Sequence, residues 1–265
     1  LSGVDRGLTL GSPLALLIEN TDARPADYAG QEKTPRPSHA DFTYRMKYGL
    51  TAASGGGRSS ARETVARVAA GAVAEKFLAV KHGVEIVAWV VAIGEVSAPE
   101  PGLEALTRAQ VDAQAARCPD AAAAEKMLRA IETAQREGDS LGGVIGCICR
   151  RAPAGWGEPV FDKLSALLAQ AMLSIPAARG FEIGSGFAGA RARGSEHNDL
   201  FVQKAGRLGT ATNRSGGIQG GLSNGEPIIF RVAFKPTATI AKTQRTAGYD
   251  GRETELQLKG RHDPC

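Results

Sequence analysis

The sequence predicts an α+β domain of mixed layers, and three patterns predict it. Short apolar runs rich in β-branched residues, VEIVAWVVAIG, GGVIGCICRRAP and PIIFRVAF, have the length and composition of buried strands. Between them lie stretches with apolar residues at helical spacing. Glycine-dense polar loops punctuate both, and such an alternation packs as helices layered on sheets around a shared core. With 265 residues, 43% of them hydrophobic, the chain can bury a core of one large domain or two small ones.

Taken in order, Leu14 to Ile18 reads as a short buried strand ahead of a polar turn. In EKTPRPSHADFTYRMKYG two prolines frame Arg36 and disfavour helix before them, so His39 falls in or beside an extended loop. The segment ASGGGRSSARETVARVAAGAVAEKFLAV begins with three glycines and continues as a helix with Val65, Val68, Ala72 and Leu78 on one stripe. Ser60 and Glu63 have the S-x-x-E spacing of a capping box, which puts the helix start at the end of the glycine run. VEIVAWVVAIG is a strand buried on both faces, and AAAAEKMLRAIETAQREG is a helix closed by Gly138. GGVIGCICRRAP is the next strand. In GWGEPVFDKLSALLAQAMLSIPA a turn precedes a helix carrying Phe161, Leu164, Leu168, Met172 and Ile175 into the core.

Charge and composition exclude some classes. A net charge of +4, from 32 basic and 28 acidic residues, suits a small anionic ligand at least as well as nucleic acid, and 5% aromatics leave few platforms for stacking bases. No stretch approaches the roughly 18 consecutive apolar residues of a spanning helix, and no segment reads as a signal peptide. Neither nucleic acid nor membrane is therefore an expected partner. Cys118, Cys147, Cys149 and Cys265 are scattered, so they read as reduced, buried thiols and no metal site is expected.

Three segments have the residues for chemistry. SGGGRSSARET offers glycines that let backbone N–H groups approach an anion, hydroxyls from Ser59 and Ser60, the guanidinium of Arg58, and the positive end of the following helix. A plain capped turn needs the same residues, and the pattern is not that of a P-loop. TNRSGGIQGGLSNGEP packs five glycines into ten residues, which fits either close approach to a planar ligand or tight turns of a β-rich domain. At the C-terminus, KGRHDPC sets Arg261, His262 and Asp263 side by side. His39, flanked by Arg36, Asp41 and Arg45, is the best general-acid candidate, although a solvated loop histidine fits the composition as well. His82 reads as a surface residue, and His197 in GSEHND as a turn or site residue.

In wording and order, RPSHADFTYRMKYG, GGGRSSARET, DSLGGVIGCICRRAPAGWGEPVFDKL, AMLSIPAARGFEIGSGF, GSEHND, TNRSGGIQGGLSNGEP, RVAFKPTATI and GRHDPC resemble the chorismate synthase family. The resemblance runs from Leu1 to Cys265 and implies a sandwich of antiparallel sheets and helices assembled as a homotetramer. It implies a lyase that eliminates phosphate from 5-enolpyruvylshikimate 3-phosphate in the anti 1,4 sense to give chorismate, with reduced FMN bound and NADPH admitted as reductant of the flavin. Position by position, Arg58, Ser59 and Ser60 match one flavin-contacting triplet, Pro176 and Ala177 a second contact, Gly220 a glycine approaching the cofactor, Lys235, Pro236, Thr237, Ala238 and Thr239 the KPTAT strand end, and Arg261 the arginine of the last motif. The catalytic candidates are His39, matching the histidine that protonates the departing phosphate, Asp263, matching a carboxylate that assists proton handling, and Ser60. Ser38 and Arg45 sit where variation is expected to be tolerated.

The family pattern also has segments before Leu1 and after Cys265, so residues 1–265 read as a single domain truncated at both ends. The wording suits a bacterial cytoplasmic enzyme, with a plastid enzyme as the alternative. Three alternatives stand beside this reading: a flavin- or phosphate-binding enzyme of another reaction type on the same scaffold, a catalytically dead fragment, and a non-enzymatic nucleotide- or RNA-binding protein, the last disfavoured by dispersed arginines.

Overall fold

The computed structural model describes residues 2–21, 33–50, 56–204, 206–258 and 263–265. In chain order the elements are β1 (Val4–Asp5), β2 (Leu8–Thr9), α1 (Asp41–Tyr48), α2 (Thr64–His82), β3 (Glu85–Ile93), β4 (Val96–Ser97), α3 (Arg108–Asp112), α4 (Ala121–Arg136) and β5 (Gly143–Arg150). They continue with α5 (Leu164–Leu173), β6 (Ala178–Ile183), α6 (Gly186–Gly189), α7 (Gly194–His197), β7 (Phe201–Lys204), β8 (Arg207–Thr210), β9 (Ile218–Gln219), β10 (Leu222–Ser223), β11 (Ile228–Phe234), β12 (Gln244–Ala247) and β13 (Glu253–Leu256). The expected α+β class is observed.

The frame is a five-stranded sheet in the order β4-β3-β5-β11-β6, with each neighbouring pair antiparallel. Strand alternation divides its side chains between two faces. Cys147, Ile228, Phe230 and Val232 face α5 together with Leu164, Leu168, Met172 and Ile175. Val87, Trp89 and Ile148 face Leu106 and Val111 on the other side. The Trp89 indole crosses over Gly146 in the paired strand, where an added Cβ would lie 2.6 Å from the ring, so only glycine fits there. At the β4 edge, α4 buries Ala123, Ala124 and Met127 against Ile93 and Cys118. Asp120 caps α4 by accepting from Ala123 N at 2.7 Å, and Gly138, at φ 67°, follows its end as expected.

Several expectations are corrected. Leu14 to Ile18 is not a buried strand: Leu16, Leu17 and Ile18 are more than half exposed, and the segment's ladder contact is an isolated bridge from Ala15 to Ser2. Phe161 is 89% exposed, because α5 begins at Leu164 and the phenyl ring lies ahead of the first turn rather than on the buried stripe. The helix expected after the glycine run is observed as α2, and none of its residues is buried, with Val68 at 71% and Val80 at 80% exposure. Cys149 is half-buried and Cys265 exposed, whereas Cys118 and Cys147 are buried, and burial pushes the Cys147 thiol up to about 12, so it stays protonated.

The glycine-dense loop between β8 and β11 is largely a structural knot. A Cβ on Gly217, at φ 78°, would meet Pro227 O at 2.5 Å, and one on Gly216 would meet Gly184 N at 2.4 Å. Gly220, at φ 61°, faces open space. Alanine at position 217 is therefore expected to cost roughly 3 kcal/mol, from a left-handed backbone plus a backbone clash. Alanine at 220 is expected to cost about 1 kcal/mol, from the backbone conformation alone. Comparing the urea midpoints of the two variants checks this, and equal losses would contradict it.

Candidate active site

The loop before α1 turns sharply at Ser38, whose φ of 59° lies in the left-handed region. This turn folds Arg36, His39 and Asp41 onto one another. Arg36, 5% exposed, grips Asp41 with Nε to Oδ2 at 2.7 Å and Nη2 to Oδ1 at 2.8 Å, a bidentate charged pair. His39 Nδ1 lies 2.7 Å from Asp41 Oδ1. Burial opposes the charge on Asp41, but the hydrogen bonds from Arg36 and His39 outweigh it and hold the carboxyl well below its usual range. Asp41 also opens α1, where the helix's positive end favours a carboxylate.

Two distant segments close on this cluster. Arg36 Nη1 donates to Thr239 Oγ1 at 3.2 Å, which brings in the end of the KPTAT stretch. On the other side, Gly56 is buried against the imidazole, and a Cβ there would sit 3.3 Å from His39 Cε1 and 3.5 Å from Nε2. Gly56 thus connects His39 to the next candidate segment, since Ser59 donates its N–H and Oγ–H to Gly56 O at 2.9 and 2.6 Å.

From that turn the chain passes through two short 3-10 turns into α2. The expected capping box is half formed. Ser60 Oγ accepts from Arg62 N at 3.3 Å, but Glu63 turns to Arg58, at 2.8 Å, instead of reaching back to the cap. Gly57, Arg58, Ser60, Arg62 and the start of α2 line an open groove of about 610 Å³ closed on its other side by Ile18, Glu19 and Asn20. That volume lies within the roughly 300–1,000 Å³ typical of small-molecule sites.

The remaining candidates divide. Lys235 N donates to Ala177 O at 3.0 Å, so the second and fourth predicted contacts are neighbours, and Ala177 itself has a φ of 67°. Burial lowers the Lys235 pKa, with the nearby positive charge of Arg179 adding to the effect. Arg67 of α2 donates to Ser174 Oγ at 2.6 Å and Ser174 O at 3.1 Å, fastening α2 just ahead of Pro176. Ser140 Oγ donates to Thr237 O at 2.7 Å, Gly142 packs under Pro236, and Leu141 N donates to Pro264 O at 2.8 Å. Asp263 is exposed beside that last contact. Gly220 stands apart, its turn held to the start of α5 by Leu164 N donating to Gly221 O at 2.8 Å. Arg261 and His262 lie outside the described residues.

Of the other histidines, His197 accepts or donates at 2.7 Å to Ser185 Oγ, a packing role between short helices, and the exposed His82 stacks edge-on to Trp156. Sequence reasoning missed Tyr249. Arg45 lies 3.9 Å over its ring, so Arg45 is less free to vary than expected. Burial raises the Tyr249 pKa, and the negative charge of Asp41 adds to this. No motif spacing marks this tyrosine.

With that geometry in hand, a family model described as chorismate synthase matches residues 1–265. The chain belongs to the chorismate synthase family. The chorismate synthase of Synechococcus sp. is 59% identical over 266 residues, covering all of this chain and 73% of the relative, and that of Saccharomyces cerevisiae is 56% identical with the same coverage. A crystal structure titled as a chorismate synthase superposes with a TM-score of 0.76 at 34% identity, covering 90% of this chain and 70% of the other. Among the described residues no helix is long and apolar enough to cross a membrane.

At the end of GSEHND, Asp199 acts as a clasp. Asp199 accepts from Thr212 Oγ1 at 2.6 Å, Arg214 N at 2.8 Å and Ser215 N at 2.9 Å, fixing the start of the glycine-dense loop. Burial works against its charge, yet these donors hold its pKa at about 2, below the ordinary 3.8. A depressed carboxyl stabilises the fold fully above its unfolded value and stops doing so as the pH falls through the folded one. The clasp is therefore expected to weaken between about pH 4 and pH 2. Asp199→Ala should lower stability by about 2 kcal/mol at pH 7 and by progressively less in that window, as read by urea unfolding. A pH-independent difference would refute this.

Proposed function

We propose that the cluster of Arg36, His39 and Asp41, the Gly56–Ser60 turn and the KPTAT end form the centre at which this lyase eliminates phosphate from 5-enolpyruvylshikimate 3-phosphate to give chorismate, the last step of the shikimate pathway. The single observation carrying this is the meeting of three motifs at the Arg36–His39–Asp41 cluster, where Thr239, 203 residues on, bonds Arg36 and Gly56 packs on the imidazole.

The site is read as holding reduced FMN, and its residues fit such a group. The groove at Arg58 and Ser60 has room for it and presents a guanidinium and a hydroxyl to an anion, while Gly220, on a separate turn, is a further proposed contact. Reduced FMN, when bound, supplies electron density to the substrate as phosphate departs. Arg58 would contact the cofactor, since its surface pair with Glu63 is exposed and exchanges at little cost. Ser59, Ser60, Pro176, Ala177, Lys235 to Thr239 and Arg261 complete the proposed contacts. Lys235, partly desolvated beside Arg179, gains from any anion placed against it.

His39 Nε2 gives its proton to the leaving phosphate oxygen, so that an N–H bond breaks and an O–H bond forms as negative charge develops. Asp263 is assigned to proton handling. NADPH serves as one electron source for the flavin. Exposed Val68, Phe77 and Val80 on α2 support burial of that helix against further copies in a homotetramer.

The test is phosphate release by the whole enzyme under anaerobic conditions. Release is expected with reduced FMN and not with oxidised FMN; release indifferent to the flavin's redox state would overturn the flavin part of the reading.

A further inference from the structure

We propose that Asp41 is a positioning residue that fixes which ring nitrogen of His39 carries the exchangeable proton. The inference rests on the reading of His39 as the acid.

Three groups crowd His39 Nδ1: Asp41 Oδ1 at 2.7 Å, Arg36 Nη2 at 3.0 Å and the Asp41 backbone N at 3.2 Å. One is an acceptor and two are donors, so the tautomer follows from which contact dominates. The carboxylate contact is the shortest and joins an acceptor held ionised by Arg36, whereas the two donors sit at longer range. Arg36 Nη2 is already committed to Asp41 Oδ1 at 2.8 Å. Nδ1–H therefore donates to Asp41, and Nε2 is left as the site of exchange.

The carboxylate cannot turn away from this task. Oδ2 accepts from Arg36 Nε at 2.7 Å and from the Arg36 backbone N at 3.2 Å, and Arg36 is pinned in turn by Thr239. The opposite edge of the ring, with Cε1 and Nε2, lies against Gly56, whose lack of a side chain permits the close approach. The charged and titratable groups around the pair are Arg36 on the same loop and Arg45 and Tyr249 beside α1. After Nε2 gives up its proton, the ring is neutral with Nδ1–H still in place, which is the tautomer Asp41 stabilises. Asp41 itself acts only through His39.

In Asp41→Asn, Arg36 Nε and its backbone N hold the amide oxygen at the Oδ2 position; the NH2 takes the Oδ1 position, loses the bond from Arg36 Nη2 and faces the ring, which forces Nδ1 to accept and moves the proton to Nε2. The expected results in the whole enzyme are a kcat lowered about 100-fold, with KM and flavin Kd changed less than about threefold. The 15N spectrum of His39 should show the Nδ1–H form in the native enzyme and the Nε2–H form in the variant. The double variant Asp41→Asn/His39→Ala should be no slower than His39→Ala alone, because a residue acting through another adds nothing once that one is gone. If His39→Ala is slow but the Asp41→Asn loss adds to it in full, or if native His39 is in the Nε2–H form, the positioning role is wrong while the acid role stands. If His39→Ala keeps the native rate, the acid role itself fails. Should Asp41→Asn not fold, the native tautomer alone decides.

Discussion

Replacing His39 with alanine is expected to lower kcat by roughly 10²–10⁴-fold, the range for loss of a positioned general acid. The side chain is 16% exposed and held by Asp41 on one edge, while its other edge lies against Gly56. A phosphate leaving without a proton donor must carry its charge alone, and the surrounding cations offset that only in part. The loss should fall on kcat, since His39 is not among the residues lining the groove at Arg58. Stability should change little, because the Arg36–Asp41 pair persists without the imidazole. Steady-state phosphate release with reduced FMN, flavin titration and a thermal melt together check all three statements. An unchanged kcat would remove the acid role.

How far the sequence reaches depends on how far apart the partners are along the chain. Arg36, His39 and Asp41 were legible because six residues contain them and two prolines force the loop. Their closure by Thr239 was not, since no local pattern encodes a hydrogen bond across 203 residues; only the family resemblance pointed to both ends. The strands were readable from period and β-branching, and β3, β5 and β11 lie where those runs are. Leu14 to Ile18 and the α2 stripe have the same apolar composition, yet they lie exposed, because periodicity reports that a face is apolar and not what covers it. The glycines of TNRSGGIQGGLSNGEP looked alike in sequence. Only the folded structure separates Gly216 and Gly217, which have backbone against them, from Gly220, which faces space. Glu63 likewise had two partners available by spacing, and the charge on Arg58 won over the cap.

Removing Arg36 should cost more stability than any other single change at the site. Its guanidinium is almost fully buried and makes three side-chain hydrogen bonds, two to Asp41 and one to Thr239. In Arg36→Ala the Asp41 carboxylate remains largely buried without its bidentate partner, and breaking such a pair from one side costs roughly 3–5 kcal/mol. Asp41 must then either stay charged at that cost or take up a proton, so the variant's stability deficit should shrink as the pH is lowered through the ordinary carboxyl range. Lysine should rescue little, since a point charge cannot span Oδ1, Oδ2 and Thr239 at once. The decisive comparison is the double variant Arg36→Ala/Asp41→Ala. With both charges gone, no unpaired ion is left in the loop, and it should be more stable than Arg36→Ala. Urea unfolding of the three proteins measures this, and a loss below about 1 kcal/mol for Arg36→Ala would mean that the loop is held by something other than its charges.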